Sequence, residues 1–142
     1  MSLVRTGLLL VVAFAVFAFG GVEVWAESVT EIAAAVLFLV WSLCVYRDET
    51  LKISINPLAA PLLGFLAIGG LQLLLHRTEY PFLTRVSLLL LGAYTILFFL
   101  FTQAFRERRD LARLAWFLTA LCFAVSLFGI AQHFTSDGTI YW

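Results

Sequence analysis

The sequence predicts an all-α, polytopic membrane protein with five transmembrane helices. Five continuous apolar stretches are separated by short segments that hold almost every charge of the 142-residue chain. Backbone polar groups inside a bilayer must be satisfied internally, so continuous apolar runs indicate helices. The composition agrees, because 63% of residues are hydrophobic and only 13% are charged, whereas about a quarter are charged in soluble domains.

The first predicted span covers residues 7–22 and follows Arg5. At about 16 residues it is near the lower limit for a bilayer-spanning helix. A cleaved signal peptide is the alternative, because Arg5 gives a positive leader and Val24-Trp25-Ala26 offers cleavage positions. We favour a retained anchor, since the run is long for a signal peptide and Glu23 is unusual beside a cleavage site. Both interpretations place the next residues outside the cytoplasm.

The second predicted span covers residues 29–46. It follows Ser28-Val29-Thr30-Glu31, which fits a capping box in which Ser28 binds first-turn amides and Glu31 reaches back to the cap. We therefore interpret Glu31 as a cap rather than a proton carrier. Trp41 and Tyr46 suit the headgroup layer at the far end of this span.

The third predicted span covers residues 57–75 and begins at a clear helix-start signal. Asn56 is predicted as the N-cap and Pro57 as the first helical residue, where its missing N–H costs nothing. Ala60 and Gly64 form a small-residue pair that would let a neighbouring helix approach closely.

The fourth and fifth predicted spans cover residues 86–105 and 111–134, each after a polar connector. With them, residues 1–142 form a single predicted transmembrane domain. Cys44 and Cys122 lie inside apolar runs without paired spacing, so we predict small core residues rather than a disulfide or zinc site.

The distribution of Lys and Arg predicts the orientation. Seven basic residues fall on one side of the predicted spans and only Arg77 and Arg85 on the other. Because basic loops stay in the cytoplasm, we predict a cytoplasmic N-terminus and a periplasmic C-terminus in a bacterial inner membrane. The seven are Arg5, Arg47, Lys52, Arg106, Arg108, Arg109 and Arg113. The formal net charge of +0 gives no global field that would attract nucleic acid.

Six polar residues are then predicted to gather at the outer face: Gln72, His76, Arg77, Arg85, Gln132 and His133. Gln72 and His76 are four residues apart, so we expect them to share a helix face. Arg77 and Arg85 suggest binding of an anionic lipid-linked group such as a diphosphate, because guanidinium groups match phosphate geometry. Ordinary headgroup contact, or pairing of Arg77 with Glu79, is the alternative.

The histidines permit another interpretation of this face. His76 and His133 are predicted at similar depth on different helices, which is the arrangement of a bis-histidine haem. Interfacial histidines without ligands are far commoner, so we predict no cofactor and no metal. No complete catalytic motif is present, and the acids are predicted to lie only in loops or caps, which argues against a transporter or ion pump.

Four short segments together resemble the amino-terminal part of O-antigen ligase and O-antigen polymerase-like membrane proteins. They are Phe19–Ala26, Leu71–Leu73, Gly129–Gln132 and Gly138–Trp142. The resemblance implies transfer of a glycan from an undecaprenyl diphosphate carrier to an acceptor at the periplasmic face, without a metal. In that family the essential arginines and histidines belong to a large periplasmic loop beyond the fifth helix. No catalytic residue is therefore carried over to this chain, which resembles a fragment or one half of a split protein.

Two functions follow as hypotheses. The first is the amino-terminal membrane part of an O-antigen ligase-like protein that handles undecaprenyl-diphosphate-linked glycan but is not catalytic alone. The second is a small non-catalytic membrane protein that packs against a larger partner. The partners expected are membrane lipid, the lipid-linked glycan, and the remaining helices of a larger protein or a partner membrane protein.

Overall fold

The computed structural model describes residues 2–18, 23–47 and 56–135, and within these ranges the regular structure is entirely α-helical. The five helices are α1 (Ser2–Phe17), α2 (Val24–Arg47), α3 (Ala59–Leu74), α4 (Pro81–Ala104) and α5 (Arg108–Thr135). The all-α fold class and the five predicted helices are thereby confirmed.

Three of the helices are long and apolar enough to cross a membrane. They are α2, α4 and the Arg108–Phe134 part of α5. The apolar helices α1 and α3 have 16 residues each, which corresponds to about 24 Å against a hydrocarbon core of about 30 Å. Spanning length is thus confirmed for three helices, and the five-span arrangement remains a prediction.

The helices belong to two compact units, Met1–Ala104 and Phe105–Trp142. The first unit contains α1 to α4, with α4 packed against each of the other three. The second unit contains α5. Whether the chain behaves as the single predicted domain remains a prediction.

Contacts within the first unit establish the direction of its helices. The rings of Phe14 and Trp25 lie 5.7 Å apart, which pairs the end of α1 with the start of α2. Arg5 Nε donates a hydrogen bond of 2.8 Å to the carbonyl of Ala104 and so joins the start of α1 to the end of α4. Helix α1 is therefore antiparallel to α2 and to α4. Helix α3 is antiparallel to α4, since Ala59 lines one pocket with Phe99 and Leu73 lines another with Arg85. We call the end that includes residues 75–80 the connector end, and the end that includes Arg5 the opposite end.

The predicted capping box before α2 is wrong. Helix α2 already begins at Val24, where the amides of Ala26 and Glu27 donate to the carbonyl of Glu23 over 2.8 and 2.9 Å. Ser28 Oγ instead donates to the carbonyl of Val24 at 3.0 Å, the back-bonding that hydroxyl side chains make inside helices. Because the helix starts one turn earlier, Glu31 is an interior residue of α2 and not part of a cap.

The other helix boundaries differ from the predicted ones at their starts. Helix α3 begins at Ala59, because Asn56 Oδ1 accepts the amide of Leu58 over 3.0 Å and closes a turn before the helix. Helix α4 begins at Pro81 rather than at residue 86, with proline at the first helical position. Helix α5 begins at Arg108 rather than at residue 111. Arg85 is therefore helical and does not lie in a connector.

The predicted interfacial role of Trp41 is also wrong. Trp41 is only 6% exposed, and its ring lies 5.0 Å from that of Phe99 in a T-shaped pair and 5.8 Å from that of Phe38. It is therefore a core residue between α2 and α4. Cys44 is half-buried, but Cys122 is exposed on α5, so the predicted core position is wrong for Cys122.

Candidate functional site

The end of α3 is shaped by a Schellman motif. The amide of Arg77 donates to the carbonyl of Gln72 over 3.0 Å, and the amide of His76 donates to that of Leu73 over 3.2 Å. These two bonds satisfy carbonyls that the helix end would otherwise leave free. The motif turns the chain sharply after Leu75, and it places Gln72, His76 and Arg77 at the connector end.

The expectation that Gln72 and His76 share a helix face is wrong. His76 lies past the end of α3 with a φ of 52°, so the four-residue spacing no longer describes one helical turn. This left-handed position is usually occupied by glycine. The His76 side chain is exposed, with Nδ1 3.2 Å from the carbonyl oxygen of Leu74.

Arg85 lies in the first turns of α4 and borders an apolar groove. The groove has a volume of about 360 Å³ and is lined by Leu73 from α3 and by Arg85, Leu88 and Leu89 from α4. A cation at the edge of a leucine-lined groove can hold an amphiphile, since the chain packs on the leucines while the headgroup meets the guanidinium.

Arg77 lies at the same end of the first unit, in the connector that leads to Pro81. Both Arg77 and Arg85 are exposed. The alternative pairing of Arg77 with Glu79 does not form, although both residues lie within the described range 56–135. Thr78 Oγ1 is buried and has no hydrogen-bond partner within that same range. The exposed guanidinium of Arg77 is therefore the group through which the connector can donate to an anionic headgroup.

Gln132 and His133 lie near the end of α5, in the second unit. Gln132 is half-buried and His133 is exposed, with the His133 ring 5.5 Å from that of Phe134. Their predicted meeting with the α3 and α4 residues remains a prediction, as does the haem interpretation of His76 and His133.

Sequence reasoning assigned Glu31 to a helix cap and missed its place in a groove. This half-buried carboxylate lines a second groove, between α2 and α4, of about 260 Å³. The expectation that acids lie only in loops or caps is therefore wrong at this position. One sequence signal could have revealed it: Ala35 follows Glu31 at helical spacing.

No family model, curated protein or solved structure matches the chain. Of the segments that carry the resemblance stated above, residues 19–22 and 138–142 lie outside the described residues, as does Lys52. The resemblance remains a prediction from the sequence.

Proposed function

We propose that the chain is the amino-terminal membrane part of an O-antigen ligase-like protein and that its α3–α4 groove binds the undecaprenyl diphosphate end of a lipid-linked glycan. The observation that carries this proposal is Arg85 at the edge of a groove otherwise lined by leucines. The chain has five spans in the bacterial inner membrane, with a cytoplasmic N-terminus and a periplasmic C-terminus.

The two parts of the groove suit the two parts of such a lipid. Leu73, Leu88 and Leu89 offer an apolar wall for a polyprenyl chain. The guanidinium of Arg85 offers paired donors to the diphosphate, and Arg77 adds a second cation at the same end. The protein supplies binding and orientation, and the chemistry of transfer belongs to the remaining helices and loop of a larger protein.

The arrangement of the first unit supports the proposed orientation. Arg5 and the end of α4 are joined at the opposite end, and Arg47, another predicted cytoplasmic basic residue, is the last residue of α2 at that same end. A groove at the connector end then faces the periplasm, because α3 and α4 are antiparallel neighbours.

The second hypothesis, a non-catalytic protein that packs against a larger membrane partner, also has a supporting observation. None of the residues of α3 is buried, so this helix has apolar surface that lipid or another helix must cover. Both hypotheses share the need for neighbouring helices, and only the first requires recognition of a diphosphate.

Binding of undecaprenyl diphosphate to the purified full chain tests the proposal. Native mass spectrometry in nanodiscs measures the bound fraction for wild type, Arg85→Ala and Arg77→Ala. We expect Arg85→Ala to weaken binding about tenfold, since charge-assisted bidentate bonds to phosphate are lost.

Arg47→Ala is the matched control, because Arg47 is an exposed arginine at the opposite end. It should bind like wild type. Equal affinities of Arg85→Ala and Arg47→Ala, or equal binding of undecaprenol and undecaprenyl diphosphate to wild type, would rule the proposed site out.

A further inference from the structure

The cleft between α2 and α4 contains the carboxylate of Glu31, which has no role in the proposed lipid binding at the α3–α4 groove. We call this cleft the Glu31 groove; its lining includes Glu31, Ala35, Leu88, Leu89, Gly92 and Ala93. Apart from Glu31, these residues are apolar or glycine. The Glu31 carboxylate forms no hydrogen bond or ion pair with any other residue of the described ranges 2–18, 23–47 and 56–135.

An ionised carboxylate among apolar residues is stabilised by a nearby cation. Transfer of an ionised side chain into an apolar medium is costly unless the charge is paired. Ionisable residues within membrane helices accordingly pair with an opposite charge or line a functional path. Glu31 has no such partner in its own groove, so charge complementarity selects a positively charged occupant.

The small residues on the floor of the groove leave room for another helix. Ala35, Gly92 and Ala93 are small, and a Cβ atom placed on Gly92 would meet nothing within 4 Å. Small residues at the same level let the backbones of membrane helices approach closely. A third helix can therefore lie along α2 and α4 at this point.

The depth of Glu31 favours a helix over a lipid headgroup. At about 1.5 Å per residue, Glu31 lies about 10 Å along α2 from Val24. Helix α2 has 24 residues and exceeds the hydrocarbon core by only about 6 Å in total. A centred α2 thus places Glu31 below the headgroup layer, where a basic side chain on a helix reaches it but a lipid amine does not.

We propose that the Glu31 groove docks a membrane-spanning helix of a partner protein, and that this helix carries a Lys or Arg facing Glu31. The proposal requires α2 and α4 to lie in a bilayer. It does not require a diphosphate site at Arg85, so either proposal can fail alone.

Synthetic transmembrane peptides test this docking. The full chain, labelled with a donor fluorophore at its amino terminus, is reconstituted in phosphatidylcholine vesicles with acceptor-labelled Leu–Ala peptides. One peptide carries a single Lys at the depth of Glu31, and its matched partner carries Leu there. We expect energy transfer to report roughly three- to tenfold tighter binding of the Lys peptide, and Glu31→Gln to remove this preference.

Two variants serve as controls. Glu27→Gln alters a carboxylate one turn nearer the start of α2 and should keep the preference for Lys. Gly92→Leu fills the open floor of the groove and should weaken the binding of both peptides equally. This variant therefore distinguishes the effect of groove shape from the effect of the Glu31 charge.

Three results would overturn the proposal. The first is equal binding of the Lys and Leu peptides to wild type. The second is wild-type self-association that Glu31→Gln abolishes and the Lys peptide does not compete with, since the occupant is then a second copy. The third is loss of the Lys preference when phosphatidylethanolamine is added, since a lipid amine then occupies the groove.

Discussion

The backbone conformation of His76 determines the direction of the chain at the candidate site. This residue occupies the left-handed position after α3 with a φ of 52°, where an L side chain crowds the following carbonyl. The hydrogen bonds of the Schellman motif hold it there. Because the turn directs Arg77 into the connector, His76 acts on the candidate site through the backbone.

Replacement of His76 by glycine is therefore expected to stabilise the protein. Glycine adopts positive φ without steric cost, so His76→Gly should raise the free energy of unfolding by about 1 kcal/mol. Thermal unfolding in detergent, followed by circular dichroism, measures the change. Leu75→Gly is the control, since Leu75 has a φ of −82° and should gain nothing. A lower melting temperature for His76→Gly would contradict the backbone role.

Particular residues show what the sequence could and could not reveal at this scale. The prediction of Asn56 as N-cap and Pro57 as first helical residue of α3 is wrong, because Leu58 is the N-cap, although the Asn-Pro pair does mark the turn before the helix. Ser28 was misread because its hydroxyl can cap a helix or bond back to a carbonyl within it, and the sequence does not distinguish the two. The left-handed conformation of His76 was not predictable, because the usual glycine is absent.

At the element scale, Gly69 lies where α3 packs closely on α4. A Cβ atom added to Gly69 would lie 2.6 Å from Leu88 Cδ2, whereas one added to the adjacent Gly70 would meet nothing within 4 Å. Leu88 also lines both the α3–α4 groove and the Glu31 groove. The closeness of α3 to α4 therefore sets the shape of the candidate site.

The two glycines give a matched pair of substitutions. Gly69→Leu should lower the free energy of unfolding by about 1–3 kcal/mol, because overpacking forces Leu88 and the helices to shift. It should also weaken undecaprenyl diphosphate binding. Gly70→Leu adds the same side chain in open space and should change neither quantity. Thermal unfolding and native mass spectrometry provide the two readouts, and equal behaviour of the two variants would refute this dependence.

At the scale of the whole molecule, the sequence predicts the five helices of the described residues but not how they pack. Hydropathy and continuous apolar runs predicted five helices, and the antiparallel order of α1 to α4 follows from alternating connectors. The grooves could not be predicted, because they depend on which helices pack together, and α2 and α4 are neighbours without being consecutive. Glu31 became a candidate only when that packing was known.

The central claim is that α4 crosses the membrane with its connector end outward. The proposed lipid binding at the α3–α4 groove requires both the crossing and this orientation, and the Glu31 proposal requires the crossing. Glu79 and Glu107 are exposed and flank α4 at its two ends. In a Cys44→Ala, Cys122→Ala background, single Glu79→Cys and Glu107→Cys variants are treated with a membrane-impermeant maleimide in bacterial cells with a permeabilised outer membrane. We expect Glu79→Cys to react directly and Glu107→Cys only after the inner membrane is opened. Reaction of both positions from the same side, or the reverse order, would contradict the account.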